Sequence, residues 1–97
     1  MAIWKNSRMY GVSLDGYITE VNYPCQVIID EKRIVVSYFE EGEAISYTGV
    51  NKNNDHFFLE CHELNGEASL HRFPNANLLV GTWVEDGEEG FWKIELK

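Results

Sequence analysis

The chain has 97 residues, 13% of them aromatic, and sixteen acidic side chains against eight basic ones, for a formal charge of −8. At this length one domain spanning residues 1–97 is expected. The carboxylate excess argues against nucleic acid, whose phosphates must be met by cations, and against docking on anionic lipid.

Apolar and polar residues alternate with period two along most of the chain, and no segment holds a 3.6-residue period, so the fold class is all-β. "MYGVSLDGYITEV" alternates Tyr10, Val12 and Leu14; it reads either as one long bent strand or as a hairpin at Asp15-Gly16. Pro24 has no amide hydrogen to give a ladder and belongs at a strand start. "CQVIIDEKRIVVSY" turns near Glu31-Lys32, which pairs Ile29 with Ile34, Val27 with Val36 and Cys25 with Tyr38. A turn at Glu41-Gly42 then pairs Tyr38 with Ile45 and Val36 with Tyr47. The polar stretch "VNKNND" is a loop of five residues, or of three with a bulge, because only an odd count keeps the faces in phase.

Asn65-Gly66 carries the signature of a two-residue type I′ turn. That turn sets Cys61 against Leu70 and Leu59 against Arg72 on one face, with Glu60 against His71 and Phe58 against Phe73 on the other. Pro74 suits the second position of a turn. A loop of Pro74 to Asn77 pairs Arg72 with Leu79, Leu70 with Gly81 and Ala68 with Trp83. Asp86-Gly87 closes the last hairpin. It places Gly81 beneath Trp92 and Gly90 beneath Trp83, a glycine covered by an aromatic on each side.

Residues 25 to 97 thus form a seven-strand antiparallel meander with short connections. Pairing of the first strand with the last gives an up-and-down barrel of about eight strands and removes both edges; the alternative is a flattened two-layer sandwich. The inward series runs from Val27 to Leu96 and is bulky, so the interior is filled or holds one small pocket at an end.

The tripeptide Gly81-Thr82-Trp83, within an antiparallel meander, resembles the calycin-like barrels: lipocalins, fatty-acid-binding proteins and avidins. Lipocalins carry a Gly-x-Trp on their first strand, its tryptophan covered by a basic side chain. The resemblance therefore implies a barrel that takes a small apolar ligand, with Trp83 as the closing indole and inward Arg72 as its covering cation. The stretch from "YTG" to "FWKIEL" is also similar to small bacterial barrel proteins for which no activity follows.

The candidate ligand-binding residues are Arg72, Trp83, Trp92, Tyr38 and Tyr47, aromatic walls with a polar group at one barrel end. An inward guanidinium must find a partner: an indole face, Glu63 or Glu85, or a ligand carboxylate. The expected activity is non-enzymatic binding of a small apolar or weakly acidic ligand. The alternative is a filled-core structural or interaction domain acting as a homo-oligomer. Outward Phe58, Phe73 and Phe91 would form a homodimer or partner surface, unless the amino-terminal segment with Ile3 and Trp4 folds over them.

No catalytic residue, metal site or cofactor is expected. His62, His71 and Glu60 lie on an outer face without a cleft, and read as a solvated cross-strand group. Cys25 and Cys61 lie in apolar runs with no CxxC or metal spacing, so both read as core thiols, and a cytoplasmic location follows from free thiols in a reducing compartment. The start shows no secretory leader, no apolar run reaches transmembrane length, and the chain reads as a whole soluble protein.

Overall fold

A computed structural model describes residues 1–97. Eight antiparallel strands follow one another around a closed barrel in chain order. They are β1 (Ala2–Ser13), β2 (Ile18–Ile29), β3 (Arg33–Glu40), β4 (Glu43–Val50), β5 (His56–Cys61), β6 (Gly66–Phe73), β7 (Leu78–Glu85) and β8 (Glu88–Glu95). A single 3₁₀ turn, Pro74–Ala76, joins β6 to β7. The ladder from Arg8↔Glu95 to Ser13↔Gly90 joins the first strand to the last. It makes the sheet a barrel, not a sandwich, because no strand edge is left open. No helix is long and apolar enough to cross a membrane.

Turn chemistry sets most registers. Glu41 and Gly42 have φ of 51° and 83°, and Asp86 and Gly87 have 47° and 84°, the two positive values a type I′ turn requires. Their hairpins pair Tyr38 with Ile45 and Gly81 with Trp92. The loop before β5 takes five residues, 51–55. At the amino terminus the hairpin at Asp15-Gly16 is the form adopted, closed by Ser13 N–H donating to Tyr17 O at 2.8 Å.

Four expectations need correction. Asn65-Gly66 is not a two-residue turn: residues 62–65 form the loop, and Cys61 lies opposite Gly66, Leu59 opposite Ala68 and His56 opposite His71. The side-chain faces survive because the slip is an even number of residues. Gly66 serves packing; a Cβ there would meet the Tyr47 hydroxyl. Pro24 lies inside β2, not at its start, opposite Arg8. The β2–β3 ladder covers only Gln26 to Ile29, so Pro24 sits where β2 has β1 as its one neighbour and no donor is missed. The expected partner of Cys25, Tyr38, lies beyond that ladder. The amino-terminal segment does not cover the outer face either; it is barrel strand β1, and Trp4 packs against the core.

The interior is filled. Tyr47, Met9, Leu59, Leu70 and Leu79 are fully buried, and the inward series read from the alternation supplies most of the core. The two glycines of the last hairpin act differently from one another. A Cβ on Gly90 would run into the Val12 backbone carbonyl of β1 and into the Trp83 indole, so Trp83 does cover Gly90. A Cβ on Gly81 would instead strike the backbone carbonyl of Ser69. Gly81 is required by the close approach of β6, and Trp92 leans over Gly11 of β1. Because backbone cannot move aside as a side chain can, Gly81→Val is expected to cost about 3 kcal/mol or more. Chemical denaturation followed by circular dichroism measures this, and a variant as stable as the parent would contradict the β6–β7 packing.

Candidate functional site at the open end of the barrel

The two barrel ends are chemically unlike. One carries the loops after β2, β4 and β6 together with both chain termini; the other carries the four remaining hairpin loops. At the terminal end, a register irregularity between Trp4 and Ser7 turns Trp4 toward the core. The Arg72 guanidinium lies 5.1 Å from the centre of the Trp4 ring, within cation–π range. Lys97 N–H donates to the buried Ser7 hydroxyl at 3.2 Å, and Leu96 N–H donates to Asn77 O at 2.9 Å. This end is closed by stacking and by the tied-down carboxy terminus.

The structure therefore divides the five expected ligand residues. Tyr38, Tyr47, Trp83 and Trp92 come together at the hairpin end, whereas Arg72 covers Trp4 at the opposite end. The closing indole is Trp4, not Trp83, and neither Glu63 nor Glu85 is within reach of Arg72. The reason is register: Arg72 pairs with Leu79, two inward positions below the Ala68–Trp83 pair.

At the hairpin end a cavity of about 300 Å³ is lined by Thr19, Glu20, Tyr23, Tyr38, Glu40, Trp83, Glu85, Glu88 and Trp92. The aromatic side is ordered by edge contacts. Tyr47 meets Trp92 edge-on at 5.0 Å between ring centres, Tyr23 meets Tyr38 edge-on at 6.0 Å, and Trp83 lies 6.2 Å from Trp92. Trp83 Nε1 donates to Phe91 O at 3.2 Å, which fixes its indole across the hairpin.

The carboxylates are placed individually. Trp92 Nε1 and Thr19 Oγ1 each donate to Glu20 Oε1 at 3.0 Å. Gly11 makes room for that carboxylate, since a Cβ there would occupy its position. The Tyr47 hydroxyl donates to Glu85 Oε2. Glu40 and Glu85 continue the inward alternation two residues beyond Tyr38 and Trp83. The ion pairs of the chain are Arg33–Asp30 and Lys97–Glu95, so no cation offsets Glu20, Glu40, Glu85 or Glu88. Burial, then the nearby Glu40 and Glu20, raises the Glu85 carboxyl above its ordinary value of 4.5 against the lowering effect of the Tyr47 hydrogen bond. Burial followed by these carboxylates also holds Tyr38 well above the usual phenol range. Burial and the Glu85 hydrogen bond do the same for Tyr47, so both hydroxyls stay neutral donors.

No family model matches this chain, and no curated protein or solved structure matches it. The closed eight-strand meander is compatible with a calycin-like fold at the level of architecture, and architecture alone assigns no activity.

Other candidate groups sit elsewhere. His71 lies opposite His56, not Glu60, with His71 Nδ1 and His56 Nε2 3.2 Å apart; Glu60 faces Glu67. No group of three or more histidine, cysteine or acidic side chains is disposed to hold a metal ion. Burial pushes the Cys25 thiol up to about 12, and Cys61 is raised by burial and by its contact with Glu63. Both are buried free thiols held in the protonated form. A larger but shallower and more open depression of about 780 Å³ lies outside β4 and β5, with Phe57 and Phe58 among Arg33, Lys52 and Glu60 in its wall.

Of the mouth residues, sequence singled out Glu85 only as a partner for Arg72, and did not single out Glu20, Glu40, Glu88 or Tyr23. The available signal was the i+2 continuation of the inward series, Tyr38 to Glu40 and Trp83 to Glu85. Glu85 also gives a stability prediction. Between the unfolded-state value near 4.5 and the raised folded value, the native state holds the extra proton, so stability falls as pH rises through that window. Glu85→Gln is therefore expected to raise Tm at pH 7, with the gain vanishing below the ordinary carboxyl pKa. Thermal melts across this range check it.

Proposed function

We propose that this chain is a non-enzymatic binding module whose open barrel end takes a small organic cation, an amine carrying an aromatic or aliphatic body. The observation that carries this reading is the set of four carboxylates around an aromatic wall with no cation to neutralise them. Indole and phenol faces attract cations by their quadrupoles, and carboxylates in a partly desolvated recess attract them by charge. The cavity volume is at the lower bound for ligand sites, which favours a small molecule.

The geometry weighs against the ligand classes suggested by sequence. A weakly acidic ligand would need Arg72, which lies at the far end stacked on Trp4. A purely apolar ligand would need an open lumen, and the interior is occupied by side chains such as Met9, Tyr47 and Leu70. The retained carboxylates support a binding role for a further reason. They are unfavourable to one another in the free protein, and groups held at such a cost concentrate at functional sites.

The test is tryptophan fluorescence titrated with tryptamine, a trimethylammonium compound, indole-3-acetate and decanoate. The two cations are expected to alter Trp83 and Trp92 emission saturably and the two carboxylates not to. Glu20→Gln and Glu85→Gln should each weaken amine binding by about tenfold, equivalent to about 1.4 kcal/mol. Amine affinity should also fall as pH is lowered through the raised Glu85 value, because protonation removes the charge that the ligand meets. Equal binding of amine and carboxylate probes would overturn the assignment.

A further inference from the structure

We propose that the outer face of β5 to β8 docks a second copy of this chain about a two-fold axis. The face carries three parallel rows defined by the ladder registers. The central row, Phe58–Ser69–Thr82–Phe91, is uncharged and continues to Val12. Phe58 and Phe91 are 53% and 51% exposed, a large fraction for aromatic side chains in ordered strands. On the side toward the hairpin end lies an acidic row with Glu60, Glu67 and Glu89, and on the other side a row with two histidines, His56 and His71, and the cation Lys93.

One of these pairings is unfavourable in a single copy. Glu60 lies directly opposite Glu67, and like charges in that relation destabilise a sheet, whereas His56 and His71 are hydrogen-bonded to each other at 3.2 Å. A face-to-face dimer relieves the carboxylate contact. With its two-fold axis along the central row, the strand direction reverses between copies while each strand meets itself. Glu60 then faces His56 of the second copy, Glu67 faces His71, and Glu89 faces Lys93. An axis along the strands would set acidic row on acidic row. The charge layout therefore selects one of two symmetric dockings and rejects the other, attraction and repulsion acting together.

Side-chain size fits the same arrangement. Two convex barrels approach most closely at the middle strands and diverge at the flanks. The middle positions are Ser69 and Thr82, and the flanking ones are Phe58 and Phe91. A standard interface buries roughly 800 Å² per partner, about an eighth of the chain's 6097 Å² surface. This surface is separate from the barrel mouth, so its test is independent of ligand binding.

The experiment is equilibrium sedimentation of the full chain with light scattering, at concentrations up to the millimolar range. The parent is expected as a dimer of twice the 11.2 kDa chain mass. Glu89→Lys and Lys93→Glu each turn two attractive contacts into two repulsive ones, and each should raise the dissociation constant about tenfold or more. The double variant Glu89→Lys/Lys93→Glu restores opposite charges across the axis and should recover the parental constant. Phe91→Asp should give a folded monomer, with circular dichroism confirming that the barrel is intact. A parent that stays monomeric throughout overturns the proposal. So does a dimer indifferent to the single reversals, or a folded double variant that fails to recover association.

Discussion

The ladder between β1 and β8 is the constraint on which the rest of the molecule depends. It converts an eight-strand meander with two exposed edges into a closed surface with none. Closure confines the interior to the width of a few side chains, and that confinement explains the glycine positions better than turn chemistry does. Gly81 admits the backbone of β6, Gly90 admits the Trp83 indole, Gly11 admits the Glu20 carboxylate and Gly66 admits the Tyr47 hydroxyl. Each is a place where a narrow barrel has no room for a Cβ.

Closure also makes the two ends independent, and they are finished in opposite ways. The terminal end is sealed by Arg72 over Trp4 and by the carboxy-terminal residues hydrogen-bonded to β1 and to the β6–β7 loop. Arg72 is consumed in that seal, although its Nε finds no hydrogen-bond acceptor. The hairpin end has the reverse composition, aromatics and carboxylates without a cation. Tyr47 and Trp92 link the two features of that end, since each belongs to the aromatic wall while donating a hydrogen bond to a carboxylate. Burial first, and then the neighbouring carboxylates, raise the Glu85 value in the free protein.

The outside of the barrel follows from the same alternation as the inside. A strand that turns every second residue inward sorts the others onto a second surface, and the registers then align them into rows. On β5 to β8 those rows are, in succession, acidic, uncharged, and made of two histidines with Lys93. An overall charge of −8 conceals this local order, because the acidic excess is concentrated at the mouth and on the loops.

Much of this was legible in the residues themselves. The strands, the barrel and the registers at Glu41-Gly42, Pro74–Asn77 and Asp86-Gly87 all follow from local signals: side-chain period, positive-φ turn residues and the fixed φ of proline. The Asn65-Gly66 register failed because a glycine that fits a turn also fits a tight interior, and only the neighbouring Tyr47 distinguishes the two. Pro24 was misplaced because its tolerance depends on how far β3 extends beside it. Arg72 was assigned to the wrong indole for a similar reason. Its inward direction and its distance from Trp83 follow from the β6–β7 register, but the tryptophan it meets, Trp4, depends on where β1 closes the barrel. Sequence by itself determined which residues face inward and where most turns lie, since both depend on neighbours a few positions apart. Only the tertiary structure decided which side chains share an end, because those meetings join residues as far apart as Glu20 and Trp92 through closure and register.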